Sequence, residues 1–296
     1  YQPCCIHKTS NCFGRFGLQY YVVDVFSKTE LKGNPVAVVL PEYSLSSEKM
    51  LKISNWFNLS ETTFVDKFET KIPSYDVRIF SPHGEFPFAG HPTLGTALAV
   101  KHHFEVIGDR LIQNCGAGEI QIRFNSSEYT VHLTSPSVSI LEVNQSDLDE
   151  VMDCFNYQSD FITAAIVTAG PSWLTVIIDE PEFIVNVKPD FESLIKISKK
   201  LKITGVQLAA SKGRGFDWKI RTFAPVVGVS EDPICGSGNI ALAKLLSSRG
   251  IAQNTFVSRQ GQEVGRDGEI LIRYLEGDEI ELGGAAKIIA SGRLDL

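Results

Sequence analysis

The segment RIFSPHGEFPFAGHPTLGTALA, residues 78–99, recurs in outline as RTFAPVVGVSEDPICGSGNIALA, residues 221–243. Both open Arg-x-Phe-[Ser/Ala]-Pro, pass an acidic residue, and reach a small glycine turn ahead of an Ala/Leu run. Other landmarks repeat in the same order. GNPVAVVL from Gly33 is echoed from Gly170, LKIS from Leu51 by IKIS from Ile195, and GEIQIRF from Gly118 by GEILIRY from Gly268. The spacing drifts slowly, as insertions in surface loops produce. A period of about 140 residues is too long for a solenoid repeat. The chain is two copies of one domain plan.

Within each copy most segments alternate apolar and polar residues, as in YDVRIF and EIQIRF, which is strand periodicity. Each copy also carries an amphipathic helical stretch, near SSEKMLKISNWF and DFESLIKISKKL. Two further helices, expected over 92–104 and 238–250, are apolar nearly all round and belong inside the protein. A buried helix in a strand-rich domain calls for a curved sheet wrapped around it. The fold class is therefore α+β, two pseudo-symmetric domains, each a barrel-like sheet around a central helix. The expected domains are 19–135 and 136–284, divided near the Ser/Pro stretch TSPSVS, with the last strand near 285–296 a candidate to return to the first domain. Residues 1–18 are expected to be a tail outside the fold.

Composition narrows the function. A net charge of −7, with Lys and Arg thinly spread, lacks the electrostatic footprint of a nucleic-acid binder. No apolar run approaches the roughly 20 residues of a membrane helix. The cysteines (Cys4, Cys5, Cys12, Cys115, Cys154 and Cys235) have no C-x-x-C spacing, which argues against structural zinc and a disulfide framework. A cytoplasmic location is the expectation.

The two glycine turns carry the chemistry. Pro92 suits the first position of a helix, and Ser237 or a neighbour suits the cap of the second. Helix N-termini present unpaired N–H groups and positive potential, so two of them facing across a cleft would cradle an anion. His91 can donate or accept a proton near neutral pH. Asp232 lies in extended backbone before Pro233. Cys235, beside a helix N-terminus, is expected to have a lowered thiol pKa. Glu61, in NLSETTFV, is a carboxylate whose counterpart in the second copy is Gly205. An acid present in one copy only is what asymmetric proton transfer needs. Each residue also has a plain structural reading: Glu61 a capping or surface carboxylate, His91 an N-cap, Asp232 a turn residue, Cys235 a packed thiol. Glu85 matches the acidic position of the first unit but lies further from its turn. His102 and His103 read as a C-terminal cap rather than metal ligands.

Taken together, DVFSKTELKGNPVAVV, NLSETTFV, the two Arg-x-Phe-Pro units and SRQGQEVGRDG resemble the PhzF-type phenazine-biosynthesis isomerases, over residues 19–294. The resemblance implies the diaminopimelate-epimerase fold, a homodimer, and a site between the domains that works without cofactor or metal on a small anionic metabolite. It implies an acid/base role for Glu61, binding or proton-relay roles for His91, Asp232 and Ser237, and a place near the pocket for Asn34. It also implies that Gly90 and Gly236 let backbone N–H groups reach the substrate. Epimerases of this fold use two cysteines. Here the first position is Ala89, so a two-thiol mechanism is excluded. The activity implied is a cofactor-independent isomerase. Two alternatives stay open: an amino-acid epimerase or racemase pairing Glu61 with Cys235 as second base, and a non-catalytic binding protein on the same scaffold.

Overall fold

The computed structural model describes residues 17–41, 43–126, 130–135, 138–211, 217–252 and 254–296. Residues 1–16 of the expected tail, with Cys4, Cys5 and Cys12, lie outside the described residues.

The first half contains β1 (Leu18–Val25), β2 (Asn34–Leu40), α1 (Ser47–Phe57), β3 (Thr62–Glu69), β4 (Ser74–Ser81), β5 (Gly84–Phe86), α2 (Gly90–His103), β6 (Arg110–Cys115), β7 (Gly118–Asn125) and β8 (Thr130–Thr134). The second contains β9 (Ser139–Leu141), α3 (Gln145–Asp153), β10 (Phe161–Thr168), β11 (Ser172–Ile178), α4 (Pro181–Asn186), α5 (Phe191–Leu201), β12 (Gly205–Ser211), β13 (Asp217–Ala224), β14 (Val229–Asp232), α6 (Gly236–Ser248), β15 (Thr255–Gln260), β16 (Gly268–Tyr274) and β17 (Ile280–Leu294). Each half has the same pairing plan. β2 and β3 run parallel across the α1 crossover, and β11 and β12 run parallel across α4 and α5. A helix inside and a helix outside cover both faces of β2 and β11. NPVAVVL and SWLTVII are accordingly near-continuous apolar runs, not alternating ones.

β17 joins the halves. Its first residues pair with β16 and with β8, from Glu281 opposite Thr134 to Ala285 opposite Thr130. The rest runs antiparallel to β1, ending with Leu294 opposite Leu18. Through it the first sheet closes around α2. In the second half β9 pairs with β10 in the corresponding place. One continuous core fills both barrels and holds Leu94, Val100, Ile240 and Leu245 of the central helices. Smaller clusters lie under α1 and under α3 and α5. Gly95 permits the close packing of α2: a Cβ there would sit 2.3 Å from Val36 Cγ1.

Two local expectations are corrected. Both central helices begin two residues early, at Gly90 and Gly236, so Pro92 occupies the third helical position. It costs nothing there either, because the donors of the first turn have no intrahelical partner. His102 and His103 do not cap α2. The cap residue is Phe104, and His103 Nδ1 instead meets the Tyr21 hydroxyl at 3.0 Å. Partial desolvation and neighbouring His102 lower its pKa. In the structure the acid that matches Glu85 is Glu231. Arg78 grips Glu85 with Nε and Nη2, and Arg221 grips Glu231 through Nε and Nη2 at 2.8 and 2.7 Å. Each guanidinium also lies over the phenylalanine two residues on, Phe80 or Phe223, at 5.1 and 5.0 Å. The Arg-x-Phe motif and its acid staple β4 to β5 and β13 to β14.

Candidate active site

The two central helices meet start to start. A Cβ on Gly90 would lie 3.5 Å from Gly236 Cα, and one on Gly236 would lie 3.4 Å from both Gly90 Cα and His91 N. Any side chain at either position would fill the space between the helix ends. The cap residue of α2 is Ala89, with no side-chain cap bond. At α6 the Cys235 thiol takes that role and accepts from Gly238 N at 3.3 Å.

Glu61 reaches this junction from the end of the α1 crossover. Asn58 closes α1 in the left-handed conformation at φ 53°, and β3 begins at Thr62, opposite Ala37. Glu61 Oε2 comes 3.4 Å from His91 Nε2, in the first turn of α2. The side chains are 17% and 6% exposed. The pair is close but makes no hydrogen bond. Ser60 Oγ, Glu61 Oε2 and His91 Nε2 are all sealed from solvent without a hydrogen-bond partner among the described residues. Buried polar atoms are normally satisfied, so three orphans at one place call for a polar occupant.

The second half supplies Asp232, at the end of β14. Its Oδ1 accepts from Ile234 N at 3.0 Å and from Asn34 Nδ2 at 3.2 Å. Asn34 therefore ties the halves together, since its Nδ2 also donates to the Ile234 carbonyl at 3.0 Å and lies 3.4 Å from His91 Nδ1. Ser237 Oγ accepts from Trp173 Nε1 at 3.0 Å. The junction thus gathers Asn34, Glu61, Gly90, His91, Asp232, Cys235, Gly236 and Ser237. Ser60, Trp173 and Gln260 stand in the same assembly, and sequence reasoning does not single them out.

Burial dominates the electrostatics. It drives Glu61 up to about 8, helped by the Asp232 carboxylate and opposed by the Ser60 hydroxyl. It raises Asp232 to about 6, against the stabilising Cys235 thiol and Ile234 N–H. It lowers His91 to about 3, against contact with the Pro35 carbonyl. Near neutral pH the site holds a neutral imidazole, a mostly ionised Asp232 and a mostly protonated Glu61. The expectation for Cys235 is corrected. Burial and the Asp232 charge push its pKa well up and outweigh the helix terminus. It is a cap, not a thiolate. Among the described residues no group of three or more His, Cys, Asp or Glu is placed to hold a metal ion.

Two surface cavities, of about 250 and 270 Å³, lie elsewhere. The first lies between α1 and the end of the chain; the second lies along β17 behind Phe26. At the junction Asn34, His91, Cys235 and Ser237 are buried, and the unsatisfied polar atoms of Glu61 and His91 converge there.

The family of phenazine biosynthesis-like proteins, PhzC-PhzF, matches residues 23–292. The chain belongs to this family. It is 32% identical over 290 residues to antisense-enhancing sequence 1 of Schizosaccharomyces pombe, covering 92% of this chain and 96% of that one. It is 30% identical over 286 residues to the trans-2,3-dihydro-3-hydroxyanthranilate isomerase of Pseudomonas aeruginosa, covering 93% and 98%. A PhzF-family crystal structure from Enterococcus faecalis superposes with a TM-score of 0.77 at 27% identity, over 95% of this chain and 100% of that one. The fold class expected from the duplicated sequence, diaminopimelate epimerase-like, is the one observed. No helix among the described residues is long and apolar enough to cross a membrane.

Proposed function

We propose that the chain is an isomerase that shifts a proton on a small carboxylate-bearing metabolite, with Glu61 as its single acid/base and no cofactor. The observation that carries this reading is the Glu61–His91 pair, sealed between two helix starts with its facing atoms unsatisfied. A carboxyl held near a pKa of 8 is a stronger base than an ordinary one and can return what it takes close to neutral pH. Ionised Glu61 removes a proton from a substrate carbon. The electron pair passes into the conjugated system, and the protonated carboxyl delivers the proton to another carbon. The N–H groups of the helix starts and the Ser237 hydroxyl receive the substrate carboxylate. Asp232, Asn34 and His91 orient it and relay protons. The name of the Pseudomonas aeruginosa relative supports a cyclic amino carboxylate as the first substrate to test. The epimerase reading loses its motive, because a capping thiol with a raised pKa is a poor second base.

The test is proton exchange. Wild type is incubated in D₂O with trans-2,3-dihydro-3-hydroxyanthranilate and a panel of small cyclic carboxylates. Deuterium should enter a substrate carbon, and Glu61→Gln should slow its entry by ~10²-fold or more while the protein stays folded. Saturable binding without exchange would leave a binding protein. Exchange at the wild-type rate in Glu61→Gln would remove the mechanism.

A further inference from the structure

The turn that presents Asp232 is built in an unusual way. Asp232, Pro233, Ile234 and Cys235 link β14 to α6, and proline at the second position is typical of a β-turn. Such a turn ordinarily closes with a hydrogen bond from the fourth N–H to the first carbonyl, here Cys235 N to Asp232 O. Instead the Gln260 side chain is inserted between them. Its Oε1 accepts from Cys235 N at 3.2 Å, and its Nε2 donates to the Asp232 carbonyl at 2.8 Å. Gln260 is 1% exposed and ends β15, opposite Gly268. The adjacent backbone is fitted to the same turn: a Cβ on Gly261 would stand 2.4 Å from the Pro233 carbonyl. Among the described residues the first half has no such insert. The corresponding strand end is Cys115, whose thiol donates to Gly118 O instead.

We infer that Gln260 is a positioning residue. Its amide wedges the Asp232–Cys235 turn open and so sets both the Asp232 carboxylate and the start of α6 against the first half. The wedge replaces one backbone bond with two bonds to a rigid planar amide. It thereby fixes where Ile234 N and Asn34 meet Asp232 Oδ1. Its relevance to catalysis rests on the function proposed above, but its effect on Asp232 does not.

The experiment reads Asp232 directly. Carboxyl carbons are labelled with ¹³C, the Asp232 resonance is assigned by its loss in Asp232→Asn, and its titration is followed in wild type, Gln260→Leu and Gln260→Glu. In Gln260→Leu the turn closes on itself and Asp232 loses bonds that favour its ionised form. Its midpoint should rise by about one pH unit or more. Gln260→Glu retains the shape. Protonated, it can accept from Cys235 N and donate to Asp232 O, as the amide does; ionised, it has no donor for that carbonyl. The Asp232 environment should therefore be wild-type-like in acid and diverge as the new carboxyl ionises. If Gln260→Leu lowers only the melting temperature and leaves the Asp232 midpoint in place, the inference is overturned. It is overturned equally if Gln260→Glu tracks wild type at every pH. Neither outcome depends on turnover, so failure here is separable from failure of the proposed reaction.

Discussion

The turns that open α2 and α6 both reach the helix through an extended cap residue, Ala89 or Cys235, and differ in chemistry. Phe88-Ala89-Gly90-His91 and Ile234-Cys235-Gly236-Ser237 bring their glycines into contact, yet their caps, their partners and their neighbours differ. The first half contributes the carboxyl and imidazole that can exchange a proton. The second contributes an ionised carboxylate, a hydroxyl and a thiol occupied in capping. The asymmetry is enforced by packing. Ala37 pairs with Thr62 and Leu174 pairs with Val206, so Gly205 stands where Glu61 does. A Cβ on Gly205 would lie 2.1 Å from the Phe223 carbonyl. Duplication supplied two helix starts, and close packing in one copy left room for a single base.

Removing the base should cost the most activity. Glu61→Gln should lower isomerisation by ~10²- to 10⁴-fold in a steady-state assay, with circular dichroism unchanged. Moving the base should fail. Gly205→Glu is expected to yield insoluble or unfolded protein, because the side chain collides with backbone and buries an unpaired charge. Soluble Gly205→Glu with native melting would show that packing does not enforce the asymmetry.

The two carboxyls should also show themselves in the pH dependence. If ionised Glu61 is the base, kcat/KM should rise with pH to a plateau above about 8. Asp232→Asn should move that limb to lower pH, because the Asp232 charge helps to raise Glu61. A limb that stays in place would uncouple the two carboxyls. Stability should respond as well. The fold favours protonated Glu61, raised from 4.5 to about 8. That contribution is fully present below 4.5 and is lost as pH rises through 8. Glu61→Gln should therefore gain on wild type between pH 5 and 9 in urea denaturation, by on the order of a few kcal/mol. His91 runs the other way. Its folded pKa is depressed from 6.5 to about 3, so its contribution is present above 6.5 and fades as pH falls through 3.

The smallest effect belongs to Cys235. Cys235→Ala should cost about 1 kcal/mol, as for other lost caps, and leave exchange within a few-fold of wild type. In the native protein iodoacetamide should not label this thiol at pH 8. A loss of activity in Cys235→Ala as large as that in Glu61→Gln would restore the two-base reading.

Much of the fold is legible in the sequence because repeated patterns report burial directly. LKIS and IKIS mark α1 and α5, and the apolar runs after Pro92 and Gly238 mark helices enclosed on all sides. The residues of the candidate site stand out by type, but their contacts do not. Asn34 reaches Asp232 across the two halves, a proximity no local spacing encodes. The thiol is misjudged from sequence because a helix terminus is visible there and desolvation is not. Trp173 and Gln260 give one faint signal each: they stand where the first copy has Val36 and Cys115.

The run of β17 has a consequence for how the chain is made. Leu18 lies opposite Leu294, so β1 finds one of its partners only after the strands between them have been synthesised. Until then the first barrel has an open edge, with its neighbouring apolar residues uncovered. Closing so long a loop is slow, and until it closes the unpaired edge is exposed to association with other chains.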